Sequence, residues 1–202
     1  MILLAAHGSP DPRAQALAQG LRKGLERRLG EEVLLGFIAH QSPTLLESAL
    51  ELARRGGGVV LPLLLLGAGH LKADLPLALE AARVRYPKAR FLLARPLGTH
   101  PALVALWAER LRRRGATPQD GAVLVLGGGT DPGANAEGAA LARLIEEKTG
   151  VPTVPAYAAK ARPTPREALL RLATLRPRRV FLLPHLFFRG VVEERLRGRA
   201  GS

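Results

Sequence analysis

The chain has 202 residues; 47% are hydrophobic and only 4% aromatic, so it can bury a substantial core, built mainly from Leu, Val and Ala. It contains no cysteine, which excludes disulfides, thiolate metal sites and cysteine-held iron–sulfur clusters within the chain. The net charge of +13 is spread over both halves. It favours anionic partners, nucleic acid or a small polycarboxylate, against the plainer alternative of solubility in an arginine-rich composition.

Taken in order, Ile2 to Ala6 is a short apolar strand. The Met1-Ile2-Leu3-Leu4 start lacks the basic region of a secretory signal, so a cytoplasmic protein is expected. His7-Gly8-Ser9-Pro10-Asp11-Pro12 is a tight loop with helix-start chemistry, and Ala14, Leu17, Ala18, Leu21, Leu25 and Leu29 recur at helical spacing up to Gly30. Val33 to Ala39 is a second strand. Pro43 opens a second helix that stops at Gly56-Gly57-Gly58. Val59 to Leu66 is a third strand, too short to span a membrane and suited to burial on both faces. A glycine turn then delivers His70 into a helix over Leu71 to Tyr86, with Pro76 in its early part. Ala89 to Ala94 is a fourth strand, and Ala102 to Arg113 a helix after the Gly-Thr-His-Pro loop. This βα rhythm argues for a parallel sheet flanked by helices.

Residues 115–121 read as a linker, after which the rhythm restarts. Strands are expected over 122–126, 151–156 and 180–184, helices over 134–148 and 164–175, and a last helical turn over 191–197. The halves look like an internal repeat. LAAHGSPDPRAQA lies beside LGGGTDPGANAEG, and VVLPLLLLGAGH beside VFLLPHLFFRGV. Gly128 is matched to His7 and about Val192 to His70. The second copy lacks a fourth strand and helix.

His7 and His70 are the leading candidates for chemistry. In the commonest doubly wound order the first and third strands are neighbours, which sets both histidines at the switch point where ligands bind. Gly8 would let the backbone approach a ligand, Ser9 can cap or donate, and helix starts at Ser9 and Thr130 favour anions. Asp74, four residues after His70, can orient its imidazole or help a metal approach. Two imidazoles suit a borderline divalent ion and can also accept protons. His100 is a candidate cleft residue. His40 is placed further from the switch point, and His185, inside PHLFF, in a core or interface. No glycine loop carries a nucleotide-binding spacing.

These residues resemble the sirohydrochlorin chelatases of the class II chelatase superfamily. The resemblance rests on His7-Gly8-Ser9, on Pro62…Gly69-His70…Asp74-Leu75-Pro76, on Pro96-Leu97-Gly98-Thr99-His100-Pro101, and on the degenerate second-half motifs around Gly129-Thr130-Asp131-Pro132 and Arg162-Pro163-Thr164. It implies an α/β fold of two chelatase-like, flavodoxin-like lobes related by the repeat, with a cleft between them: residues 1–116 carrying the histidines, and 117–202 degenerate and shortened, completed through a possible homodimer. The implied reaction is ATP-independent insertion of a divalent metal into a tetrapyrrole polycarboxylate, sirohydrochlorin. Co²⁺, for cobalamin synthesis, is favoured over Fe²⁺ for sirohaem, and Ni²⁺ is also possible. His7 and His70 would bind the metal and accept protons. Lys72, Arg95, Lys160, Arg162 and Arg189 would meet substrate carboxylates, with Ser9, Asp74, His100 and Thr130 as further contacts. No permanent cofactor, nucleic acid or membrane is expected. The alternative is a non-catalytic tetrapyrrole or metal carrier.

Overall fold

The computed structural model describes residues 1–67 and 69–187, with backbone alone over 69–72. The expected turn at 191–197 and Arg189 lie outside these residues. They form two compact units, Met1–Pro96 and Leu97–Phe187.

The first unit runs β1 (Ile2–Ala6), α1 (Pro12–Leu29), β2 (Val33–Phe37), α2 (Leu45–Arg54), β3 (Gly57–Leu63), α3 (Gly69–Arg85) and β4 (Arg90–Leu93). Its sheet is parallel, in the order β2-β1-β3-β4. β1 is apolar throughout because both its edges are paired and helices cover its faces. Leu3 and Ala5 pack with Leu45, Ala49 and Leu52 of α2 and with Leu75, Leu79 and Ala82 of α3. β3 is shifted towards the N-terminus relative to the strand expected at Val59–Leu66. It pairs with β1 from Val59 to Leu63, and Ala6 of β1 is the last partner, so Leu64–Leu66 run past the sheet edge.

The second unit runs α4 (Pro101–Arg113), β5 (Gly121–Leu126), α5 (Pro132–Thr149), β6 (Thr153–Tyr157), α6 (Pro165–Ala173) and β7 (Val180–Pro184). Its parallel sheet has the order β6-β5-β7, with every residue of β5 buried. The units divide at Pro96/Leu97, whereas the sequence suggested 116/117. α4 packs against α5 and buries Trp107 and Leu111 in the second unit, which an amphipathic helix placed just after β4 does not announce.

The repeat is detailed at the level of hydrogen bonds. Asp11 and Asp131 cap α1 and α5, each followed by proline, and the helices end at left-handed Gly30 and Gly150. Thr44 with Glu47, and Thr164 with Glu167, form capping boxes on α2 and α6 after the cis bonds Ser42–Pro43 and Arg162–Pro163. Glu26 accepts from the Val33 amide and Glu146 from that of Thr153. At this constant offset, left-handed Gly8 corresponds to Gly128, so His7 corresponds to Gly127, one residue before the Gly128 suggested by the sequence. No helix among the described residues is long and apolar enough to cross a membrane.

Candidate functional site

The C-terminal edge of the first sheet gathers several of the residues expected from the sequence. His7 is the residue after β1, and its exposed imidazole bonds through Nδ1 to the Gly8 carbonyl at 3.1 Å. A proton on Nδ1 makes that bond and leaves the lone pair on Nε2, the tautomer suited to metal ligation or proton uptake. His70 is the second residue of α3, the helix that follows β3, and β3 is hydrogen-bonded to β1. The two histidines thus follow neighbouring strands, as the switch-point argument requires. Asp74 is one turn further along α3, on the His70 side of the helix. It lines a groove of about 300 Å³ with Ile38, Thr44 and Leu77. Arg95 is exposed just past β4, so the edge carries in spatial order the residues after β2, then His7, His70 and Arg95. Lys72 shares the first turn of α3; its side chain and that of His70 lie outside the described atoms.

Other expectations change in detail. Gly8 is required by packing: at φ +86°, a Cβ there would collide with the Ala39 carbonyl oxygen. Ser9 is half-buried, and its Oγ accepts from the Asp11 amide at 3.2 Å. The helix caps are Asp11 and Asp131, in place of the expected Ser9 and Thr130. Each helix N-terminus therefore already faces a carboxylate, which weakens it as a seat for an anionic substrate. Thr130 is exposed and precedes that cap.

His100 caps α4, its Nδ1 accepting from the Ala102 amide at 3.2 Å, and lies in the second unit. Arg162 is ion-paired with Glu167. His185 is 4% exposed, and its Nδ1 accepts from Trp107 Nε1–H at 3.1 Å, which makes it a core residue. Burial, followed by the charge of Arg110, holds its pKa down to about 4. A larger concavity of about 550 Å³ between α4 and β7, lined by Arg110, Arg113 and Arg114, contains none of the expected site residues. Among the described side chains, no group of three or more acidic or imidazole residues is arranged to hold a metal.

The CbiX family model matches residues 1–114 and again 121–199. The chain belongs to the CbiX family.

The double match follows the repeat. Among CbiX-like relatives, a sirohydrochlorin cobaltochelatase of Priestia megaterium is 31% identical over 205 residues, covering 96% of this chain and 66% of the relative. A sirohydrochlorin ferrochelatase of Bacillus subtilis (strain 168) is 28% identical, covering 95% of this chain and 75% of the relative. The chain thus spans about two thirds to three quarters of the length of these relatives. The structure of SirB from Bacillus subtilis with Fe³⁺ superposes with a TM-score of 0.86 at 25% identity, covering 99% of this chain and 81% of that one.

His40 also lies close to this edge through the backbone. It is exposed and left-handed (φ 66°) in the turn after β2, and the amide of its neighbour Ala39 donates to the His7 carbonyl at 2.9 Å. The only available signal was a histidine at a strand end, without the glycine or asparagine that usually marks a left-handed turn.

Proposed function

We propose that this chain is a metal chelatase that inserts a divalent ion into sirohydrochlorin without ATP, with His7 and His70 as metal-binding and proton-accepting residues. The observation that carries this reading is the adjacency of β1 and β3, which brings the residues leading to His7 and His70 to one edge of one sheet. Family membership and the names of the relatives support it.

Insertion has two chemical demands. The hydrated ion must shed water, and the macrocycle must lose two pyrrole protons. A neutral imidazole can displace a water from the ion, and it can take a proton near neutral pH. Few fixed ligands suit an ion that must leave, unlike the closed shell of a structural site. Arg95 and Lys72 are proposed to meet carboxylates at this edge. Asp74 is proposed to orient the His70 imidazole, and Ser9 to hold the His7 turn. We favour Co²⁺ and a role in cobalamin synthesis in the cytoplasm; Fe²⁺ and Ni²⁺ suit the same donors.

The test is the visible spectrum of sirohydrochlorin incubated with the protein and Co²⁺, Fe²⁺ or Ni²⁺ in turn. Chelatase activity predicts catalytic conversion to the metallated spectrum, fastest with Co²⁺. Binding of sirohydrochlorin with no metallation beyond the uncatalysed rate identifies a carrier and overturns the proposal.

A further inference from the structure

We propose that the outer edge of β7 is a docking site for an extended acidic peptide segment of a partner protein, which joins the second sheet as a fourth strand and meets the arginines of α4.

The repeat defines the missing neighbour. In the first sheet β3 is bonded to β1 on one side and to β4 on the other, with Gly57 to Val60 paired to Arg90 to Leu93. β7 is the counterpart of β3. It pairs with β5 as β3 pairs with β1, and Pro184 stands where Pro62 stands. Among the described residues no strand lies on the other side of β7, the last in the order β6-β5-β7.

The unused backbone groups are those of Val180 and Leu182. The Gly121 amide donates to the Arg179 carbonyl and the His185 amide to the Val125 carbonyl, so the odd-numbered residues of β7 face β5. The alternate residues of a strand face the other way. The counterparts of Val180 and Leu182 are Gly58 and Val60, on the β4 side of β3, where the Ala94 amide donates to the Val60 carbonyl at 2.9 Å. Pro184 has no N–H and ends the edge, just as Pro62 lies beyond the last β3–β4 pair. An open edge of this kind is a template for a further strand.

The wall beside that edge sets the charge of the occupant. The concavity between α4 and β7 is lined by Phe181, Leu182 and Leu183, successive residues that point to opposite faces of the sheet, so it wraps around the free edge. Its other side is Trp107 with Arg110, Arg113 and Arg114. Arg110 lies over the Trp107 ring at 4.8 Å, and Glu109 is already shared by Arg112 and Arg113, so the wall carries excess positive charge. A segment alternating apolar and acidic residues matches both surfaces. A second copy of this edge would bring the same arginines together, in a chain whose net charge is +13. Residues 188–202 hold four arginines against two glutamates, so their charge does not suit the wall either.

The experiment uses the full chain and short capped peptides in which valine alternates with glutamate or with lysine. Binding is followed by the fluorescence of Trp107, the single tryptophan, and by amide hydrogen exchange. The glutamate peptide should bind saturably and slow exchange at Val180 and Leu182, while Phe181 and Leu183, already bonded to β5, stay unchanged. Methylating alternate peptide nitrogens removes strand hydrogen bonds and should weaken binding about tenfold. Arg110→Gln with Arg114→Gln, checked for an unchanged melting temperature, should also weaken it about tenfold. No saturable binding of the glutamate peptide, or equal binding of the lysine peptide, would overturn the proposal. Binding that survives methylation would reduce the arginines to a plain anion site and remove the added strand. Protection of Val180 and Leu182 before any peptide is added would also overturn it. Sedimentation would then assign the edge to a second copy if the protein is a dimer, or to residues 188–202 if it is a monomer.

Discussion

Trp107 Nε1–H donates to Nδ1 of His185 at 3.1 Å inside the second unit, joining α4 to the end of β7. The imidazole is neutral there because burial, reinforced by the charge of Arg110, lowers its pKa from 6.5 to about 4.

This buried pair sets a pH dependence of stability. Between the two pKa values the unfolded chain holds a proton on His185 that the folded chain does not. The contribution is therefore complete above about pH 6.5 and is lost as pH falls towards 4, amounting to about 3 kcal/mol. Urea unfolding between pH 7 and 5, where carboxylates contribute little, should show stability falling with pH, and His185→Phe should flatten the slope. A wild-type slope of zero over that window would contradict the buried neutral imidazole.

The two glycine loops should respond unequally to alanine. Gly8→Ala forces a left-handed alanine against the Ala39 carbonyl and should cost about 3 kcal/mol. Gly127→Ala, at the counterpart of His7, meets nothing within 4 Å and has no left-handed φ. It should change stability by no more than about 0.5 kcal/mol. Chemical denaturation of both variants reads the difference, and equal losses would contradict the register of the repeat.

Arg95, exposed at the same edge as His7, should act on binding alone. Arg95→Gln should raise KM for sirohydrochlorin by roughly threefold with kcat unchanged, since exposed ion pairs are worth at most about 1 kcal/mol. The effect should shrink as salt rises. A fall in kcat at constant KM would place Arg95 in the chemistry.

Much of this architecture was readable beforehand because the hydrophobic runs and glycine loops alternate regularly. The Asp-Pro pairs at Asp11-Pro12 and Asp131-Pro132 carry the repeat, since each must cap a helix and start its first turn. Other features depend on partners that local pattern does not encode. The apolar run through Leu66 hid where β3 leaves the sheet, because strand length is set by β1. The apolar stripe of α4 says that it packs, and not on which unit. Gly8 looked like an opening for a ligand, whereas the Ala39 carbonyl dictates it. The left-handed turn at His40 follows from pairing with the His7 strand end, which composition alone does not show.

The most direct test of the central claim is the initial rate of Co²⁺ insertion into sirohydrochlorin, followed by visible absorption, for wild type, His7→Ala and His70→Ala, each checked for an unchanged melting temperature. If the two imidazoles bind the metal and take the pyrrole protons, each variant should lose roughly a hundredfold or more in rate while still binding the tetrapyrrole. Insertion at the wild-type rate by both folded variants would contradict the assignment of the β1–β3 edge as the site of metal insertion.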